Sequence, residues 1–291
     1  MIQLPQVQPT SNGKVVTPNE IARGVTGRPH MSYSEVKTFQ RCPLKWRYQY
    51  VDRASYEQTS AALLLGIGIH ASIELYFHSV FAADMLPSLD ELLLAFDAAW
   101  GEQSGDVPVV YARGQDKVSL REQARAMLGV FLASEHATPP GRLIGLEESF
   151  QVRLDPALPD LAGRIDMISY DEEGGRLLIT DYKTSRSVWS RANAEEQATQ
   201  LRLYARGCEQ MARDLGAGLA LRFIVITKTK SPKIEAIDIN ATHGPIDREI
   251  DVLKRVFAAM QSGVVYPAPS PLNCSGCPFA KRCEEWPSSE K

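Results

Sequence analysis

Asp181-Tyr182-Lys183 closes an apolar run, Arg176 to Tyr182, and Gly163-Arg164-Ile165-Asp166 stands upstream of it. In an extended strand, residues two apart face the same side. Asp181 and Lys183 therefore project together, and Tyr182 points the other way. The turn signal Asp171-Glu172-Glu173-Gly174-Gly175 separates the two runs, so they are expected to pair antiparallel, with the Asp166 carboxylate in reach of Asp181. Two carboxylates on adjacent strands repel unless a cation lies between them, and a hard divalent ion with oxygen ligands suits that arrangement. A lysine beside the ion can position or activate water and stabilise phosphate charge, while the ion lowers the pKa of bound water. For an isolated Asp-x-Lys the plainer reading is a solvated ion-pair cluster at a strand end, so the case depends on what surrounds it.

Three further features stand around it. His70 ends Leu65-Gly66-Ile67-Gly68-Ile69-His70 on an apolar helix, with Glu74 one turn later on the same face. Alone, it would read as a core histidine. Gln200 and Tyr204 are four apart on the helix after the Asp-x-Lys strand and share a face. The third feature is the cysteines: Cys42, Cys208, Cys274, Cys277 and Cys283. An odd count with a Cys-x-x-Cys pair points to a metal or cluster site plus one spare, and a reducing compartment makes a disulfide framework a poor reading. Cys274, Cys277 and Cys283 supply three thiolates in a loop kept compact by Pro271, Gly276 and Pro278. Cys42 is the candidate fourth ligand, and Cys208 reads as a buried small hydrophobe. Spacing alone does not separate zinc from an iron–sulfur cluster. Either would staple the start of the fold to its end across a long loop.

The elements that must position these groups follow from periodicity. Met31 to Val51 reads as a helix, with Ser32 as N-cap, Glu35 completing a capping box, and Cys42-Pro43 as an interruption. Leu63–Ala82, Ser88–Trp100 and Lys117–Glu135 read as helices, and Ile144–Leu154, Gly163–Tyr170 and Arg176–Tyr182 as strands. Helix Glu195–Leu215, strands Leu221–Thr227 and Lys233–Ile239, and helix Ile246–Gln261 precede a loop rich in proline and cysteine. This order predicts an α/β fold: a mixed central sheet flanked by helices, with a helical N-terminal portion. Residues 1–29, carrying four prolines and three glycines, read as an extended or mobile tail. Residues 30–291 read as one domain, with a helical portion over 60–140, a catalytic α/β core over 141–262 and a cysteine loop over 263–291.

The 291 residues are 44% hydrophobic and 23% charged, as in an ordinary globular chain with a substantial core. The net charge of −3 and pI of about 6.0 count mildly against a nucleic-acid binder. A local basic groove or a bound metal would offset that. Ala61–Ala83 is nearly long enough to span a membrane, but His70, Glu74 and His78 within it favour a buried helix, so no membrane association is expected. The absence of a signal peptide points to the cytoplasm. No Gly-rich phosphate loop is present, which excludes an ATP-driven motor in this chain.

Taken in order, Ser32-Tyr33-Ser34 through Cys42-Pro43, Gly66 to His70, Gly163-Arg164-Ile165-Asp166, Asp181-Tyr182-Lys183-Thr184, Gln200-x-x-x-Tyr204 and the terminal cysteines resemble the RecB-like branch of the PD-(D/E)XK nucleases, which includes Cas4 and AddB C-terminal domains. The resemblance spans roughly Met31 to Trp286. It implies a restriction-endonuclease-like core in which His70, Asp166, Asp181 and the Tyr182 backbone carbonyl bind Mg²⁺ or Mn²⁺, with Lys183 as the catalytic lysine. Gln200 and Tyr204 would contact the DNA strand, with Thr184 and Arg186 beside them. Glu74 and Glu148 are further acidic candidates for the surroundings. The resemblance also selects a [4Fe–4S] cluster on Cys42, Cys274, Cys277 and Cys283, with a structural role.

The implied activity is hydrolysis of DNA phosphodiesters, exonucleolytic and favouring single strands or ends, in recombination, repair or phage DNA processing. A helicase or recombination partner could accompany it. Lys37, Arg41, Lys45, Arg47, Arg186, Arg191, Lys228, Lys230 and Lys233, with Trp46, Tyr48, Tyr50 and Trp189 among them, could form a single-strand channel. Equally, they could be a solvated face over core aromatics. Two alternatives carry other functions: a non-catalytic iron–sulfur DNA-binding or assembly subunit, and a zinc-stabilised structural protein.

Overall fold

The structure, a computed structural model, describes residues 16–241 and 244–286. It divides into two compact units: one of residues up to Gln58 with Phe150–Gly163 and the chain from Thr242 on, the other of Thr59–Ser149 with Arg164–Ala241.

In the first unit, α1 (Pro18–Thr26) occupies part of the segment expected to be an extended tail; residues 1–15 lie outside the described residues. The reason is local. Thr17 and Glu20 form a reciprocal capping box, Pro18 fits the first turn, and Gly27 takes the left-handed C-cap at φ 76°. The helix expected over Met31–Val51 is broken into β1 (His30–Ser32), α2 (Tyr33–Arg41), α3 (Pro43–Trp46) and a π-helical turn, Arg47–Val51. The break at Cys42 follows from Pro43, which disfavours helical backbone in the residue before it. Ser32 caps α2 by accepting the Glu35 N–H at 3.2 Å. The capping box is not completed, because the buried Glu35 carboxylate bonds Arg28 at 2.5 Å and Trp46 Nε1 at 3.2 Å instead. β1 runs parallel to the start of β5 (Asp160–Asp171), His30 beside Asp160. The C-terminal part holds α9 (Gly244–Gln261), α10 (Pro271–Cys274) and α11 (Ala280–Glu284).

In the second unit, α4 (Ala61–Phe81), α5 (Leu89–Ser104) and α6 (Lys117–Leu132) cover one face of the sheet. α5 and α6 start at capping boxes, Ser88/Glu91 and Asp116/Ser119. α4 is long and apolar enough to cross a membrane. Its Leu64, Leu65, Ile69, Ile73, Tyr76 and Phe77 are instead buried against Phe96, Met127, Phe131, Met167, Tyr182 and Ile224. Each such large side chain, fully buried, stabilises by about 1.5–3 kcal/mol. Gly68 has no room for a Cβ, which would collide with the Phe96 ring.

The sheet of this unit is mixed. β5 pairs antiparallel with β6 (Arg176–Ser185), Met167 opposite Thr180. β6 runs parallel to β7 (Gly218–Thr227), and β7 antiparallel to β8 (Ile234–Ile239). β4 (Arg142–Val152) pairs with β5, and the short strands β2 (Thr59–Ser60) and β3 (Val109–Val110) pair parallel in a separate sheet. The parallel β6–β7 pair needs a crossover, made by α7 (Arg191–Gln197) and α8 (Thr199–Asp214). They replace the single helix expected over Glu195–Leu215, with the break at Ala198, where neither glycine nor proline marks it. A mixed sheet flanked by helices is the architecture expected from the order of elements.

Candidate metal centre

The alternation along β6 sorts its end into two faces. Tyr182 is buried with Phe77 and Phe131, ring centroids 5.9 and 6.4 Å away. Asp181 and Lys183 share the other face, and Lys183 Nζ lies 2.6 Å from Asp181 Oδ2. Asp181 Oδ2 is buried, and the Lys183 ammonium is the charge set against it. Burial raises the Asp181 pKa, opposed by Lys183 and reinforced by Asp166. Burial alone would lower the Lys183 pKa, but Asp181 and Asp166 outweigh it and keep the ammonium charged.

The antiparallel register brings Asp166 to the same place. Its Oδ2 accepts the Tyr182 N–H at 2.8 Å and lies 3.6 Å from His70 Nδ1. α4 delivers His70, and its Gly66 lies against β6: a Cβ there would stand in ordinary contact with Thr184 Oγ1, at 3.4 Å.

The sequence reading missed Glu147. A ligand atom from each of His70, Glu147 and Asp166 lies within 4.8 Å of the others. Glu148, weighed from sequence, is exposed and folds back over Gly145. Glu147 has φ 49°, a left-handed residue inside β4. A strand residue in that region marks a local kink or bulge that re-aims side chains, so counting by twos along β4 fails here. The only signal in the sequence was the acidic pair itself. Glu147 bonds Arg164 at 2.6 Å. Burial, with Asp166 next, pushes its pKa up to about 7; Arg164 opposes, while Glu74 and Asp181 add to the rise. Glu74 is therefore near the site, and its Oε1 lies 3.7 Å from His78 Nε2.

Three carboxylates and an imidazole thus crowd one place with too little positive charge. Hard oxygen donors with one nitrogen fit a divalent cation. Asp181 is outside the 4.8 Å group but feels both Asp166 and His70.

Gln200 and Tyr204 are brought together as expected: Gln200 Nε2 donates to the Tyr204 hydroxyl at 2.8 Å. Burial raises the Tyr204 pKa, and the charges of Asp181, Lys183 and Asp166 act on it, which places the pair beside the site. Arg186 is exposed just beyond β6. Trp189 donates its indole N–H to Ser185 Oγ at 2.9 Å and packs edge-on against Phe223. Of the other aromatics offered as stacking surfaces, Trp46 and Tyr48 are core residues.

In the other unit, Cys42, Cys277 and Cys283 pack around Leu44, Tyr48 and Phe279. The chain near Cys42 is laced to the C-terminal loop: Leu44 N–H to Tyr266 O at 3.1 Å, Asn273 Nδ2 to Arg41 O at 2.8 Å, and Gln58 Nε2 to Cys277 O at 2.8 Å. Burial raises the Cys283 pKa, and Cys42, Cys277 and Cys274 add to the rise. Cys208 is buried in α8, its thiol pushed up to about 11 by burial, as expected of a small core residue.

The family model of the PD-(D/E)XK nuclease superfamily matches residues 30–284. The chain belongs to that superfamily. PD-(D/E)XK nucleases use divalent metals, in keeping with the donor set above. Among solved structures, this PD-(D/E)XK chain is similar to a protein from Eubacterium rectale described as a "putative exonuclease", at 15% identity and TM-score 0.55, covering 98% of this chain and 96% of that one. That likeness is one of fold. A second structure, SSO0001, aligns at 14% identity and TM-score 0.34 over 86% of this chain and 94% of that one. No curated protein matches the sequence.

Proposed function

We propose that this PD-(D/E)XK protein is a divalent-metal-dependent deoxyribonuclease that hydrolyses phosphodiester bonds, with single strands or DNA ends as substrate and exonucleolytic action. The observation that carries the reading is the convergence of His70, Asp166 and Glu147 next to the Asp181–Lys183 pair. His70, Asp166 and Asp181 would hold Mg²⁺ or Mn²⁺ with the Tyr182 carbonyl, and Glu147 joins that set. When bound, the cation polarises the phosphate and lowers the pKa of water.

The residues of the chain do the rest. Lys183, kept charged by two aspartates, orients the attacking water and balances charge developing on the phosphate. Asp166, fixed by the Tyr182 N–H, holds its carboxylate toward His70. Gln200, Tyr204, Thr184 and Arg186 contact the strand. The exonucleolytic preference agrees with the name given to the Eubacterium rectale protein.

The RecB/Cas4-like assignment, a single nuclease domain over 30–291 and a cytoplasmic setting belong to the same proposal, as does a [4Fe–4S] cluster on Cys42, Cys274, Cys277 and Cys283. The electrostatic influence of Cys42 and Cys274 on Cys277 supports a shared cysteine site. No three cysteine sulfurs among the described residues lie within 4.8 Å of one another. Recombination, repair or phage DNA processing, with or without a helicase partner, would be the setting.

The test is cleavage of end-labelled single- and double-stranded DNA by anaerobically purified protein, with Mn²⁺, Mg²⁺ or EDTA, beside Lys183→Ala. Metal-dependent cleavage lost in the folded variant is expected. A wild-type protein that binds Mn²⁺ yet cleaves nothing would sink the nuclease reading.

A further inference from the structure

β6 and β7 are parallel, and Ser185 pairs with Thr227 at their shared C-terminal end. One residue beyond on each strand stand Arg186 and Lys228. The Lys228 N–H donates to Ser185 O at 2.6 Å, which locks the two departing chains together. The base of the β7–β8 hairpin is also fixed: Thr227 N–H reaches Lys233 O at 2.9 Å, and Lys233 N–H reaches Thr227 Oγ1 at 2.8 Å. Lys228 Nζ donates to Ala62 O, in the first turn of α4, at 3.3 Å. The ammonium is therefore held in place and half-buried.

No ion pair among the described residues involves either cation, although carboxylates elsewhere in this unit are paired with arginines. Burial, and after it the guanidinium of Arg186, keeps the Lys228 pKa below the ordinary lysine value. Two like charges side by side, one of them partly out of water, are unfavourable unless an anion lies against them. Their place points the same way, because ligands of α/β sheets gather at the carboxyl ends of parallel strands.

We infer that Arg186 and Lys228 form a phosphate-binding subsite that seats a phosphodiester neighbouring the one at Lys183. The inference deepens the nuclease reading and rests on it for the identity of the ligand as a nucleic-acid strand. Arg186 follows Lys183 by three residue steps, a reach of roughly 10 Å along extended chain. The seated phosphate is thus a neighbour of the scissile one. Arg186 supplies a planar donor fork and Lys228 a point charge, and the pair reads backbone without base preference.

The experiment compares wild type with Arg186→Gln, Lys228→Gln and the double variant, each checked for folding by circular dichroism, all in EDTA. The first probe is inorganic phosphate, read as the thermal stabilisation it gives beyond sodium chloride of equal ionic strength. The second is a fluorescent oligothymidylate, read by anisotropy across a salt series. Phosphate-specific stabilisation should be present in wild type and lost in the double variant. The oligonucleotide should bind the double variant several-fold more weakly, with the slope of log K against log salt shallower by about 0.7, one phosphate's worth on a single strand. Equal phosphate stabilisation in wild type and double variant, or an unchanged salt slope, overturns the subsite. Phosphate binding lost in the variant while wild type cleaves no DNA would leave the subsite standing and count against the nuclease reading alone.

Discussion

Glu147→Gln isolates the charge crowding at the metal centre. The substitution keeps the shape of the side chain and removes its charge. Glu147 is raised from 4.5 to about 7 in the folded protein. The folded state therefore binds more protons than the unfolded one between those values. Stability is fully present below about 4.5 and is lost as pH rises through about 7. At about 1.4 kcal/mol per pH unit across that window, ionised Glu147 destabilises the metal-free fold by on the order of 3 kcal/mol. Its side chain is only 13% exposed, so solvent screening removes little of this. Arg164, its partner, is 64% exposed, and losing that pair costs under about 1 kcal/mol. In EDTA, Glu147→Gln should thus be more stable than wild type at pH 8 and near it at pH 4.5, read by urea denaturation at both pH values. A divalent cation should narrow the gap. At 100 times its dissociation constant, Mn²⁺ stabilises the protein that binds it by about 2.7 kcal/mol, and the variant should gain markedly less. A variant no more stable than wild type at pH 8 in EDTA, or one gaining as much from Mn²⁺, would refute the reasoning.

Two further substitutions test the remaining groups. Asp166→Ala should weaken Mn²⁺ binding, read by calorimetry, and destabilise the fold by about 1–3 kcal/mol because the Tyr182 N–H loses its acceptor; unchanged Mn²⁺ affinity would remove Asp166 from the site. Cys277→Ser, purified without oxygen, should lack the visible absorbance of an iron–sulfur protein and unfold at lower temperature. A coloured variant as stable as wild type would end the cluster assignment.

The legible part of the site was the part governed by strand and helix periods. Asp181 and Lys183 face one way because β6 is regular, and Gln200 bonds Tyr204 because α8 is. Glu147 was not legible, since a left-handed residue inside β4 breaks the alternation on which the reading depended. The Glu35 capping box failed for a related reason: Arg28 and Trp46, both outside α2, competed for the carboxylate and won. α1 could have been found, for Thr17, Pro18, Glu20 and Gly27 carry a complete set of start and stop signals that the surrounding prolines and glycines obscured.

By itself the sequence determined the order of the main helices and strands from α4 to β8, the antiparallel approach of Asp166 to Asp181, and the shared faces of Asp181 with Lys183 and of Gln200 with Tyr204. These follow from turn chemistry and the alternation of side chains over a few residues. Only the tertiary structure decided that Glu147 rather than Glu148 joins His70 and Asp166, and that Lys228 leaves β7 beside the end of β6 that carries Arg186. The first depends on a local kink in the backbone. The second depends on a crossover returning β7 parallel to β6, a long-range register that local spacing does not encode.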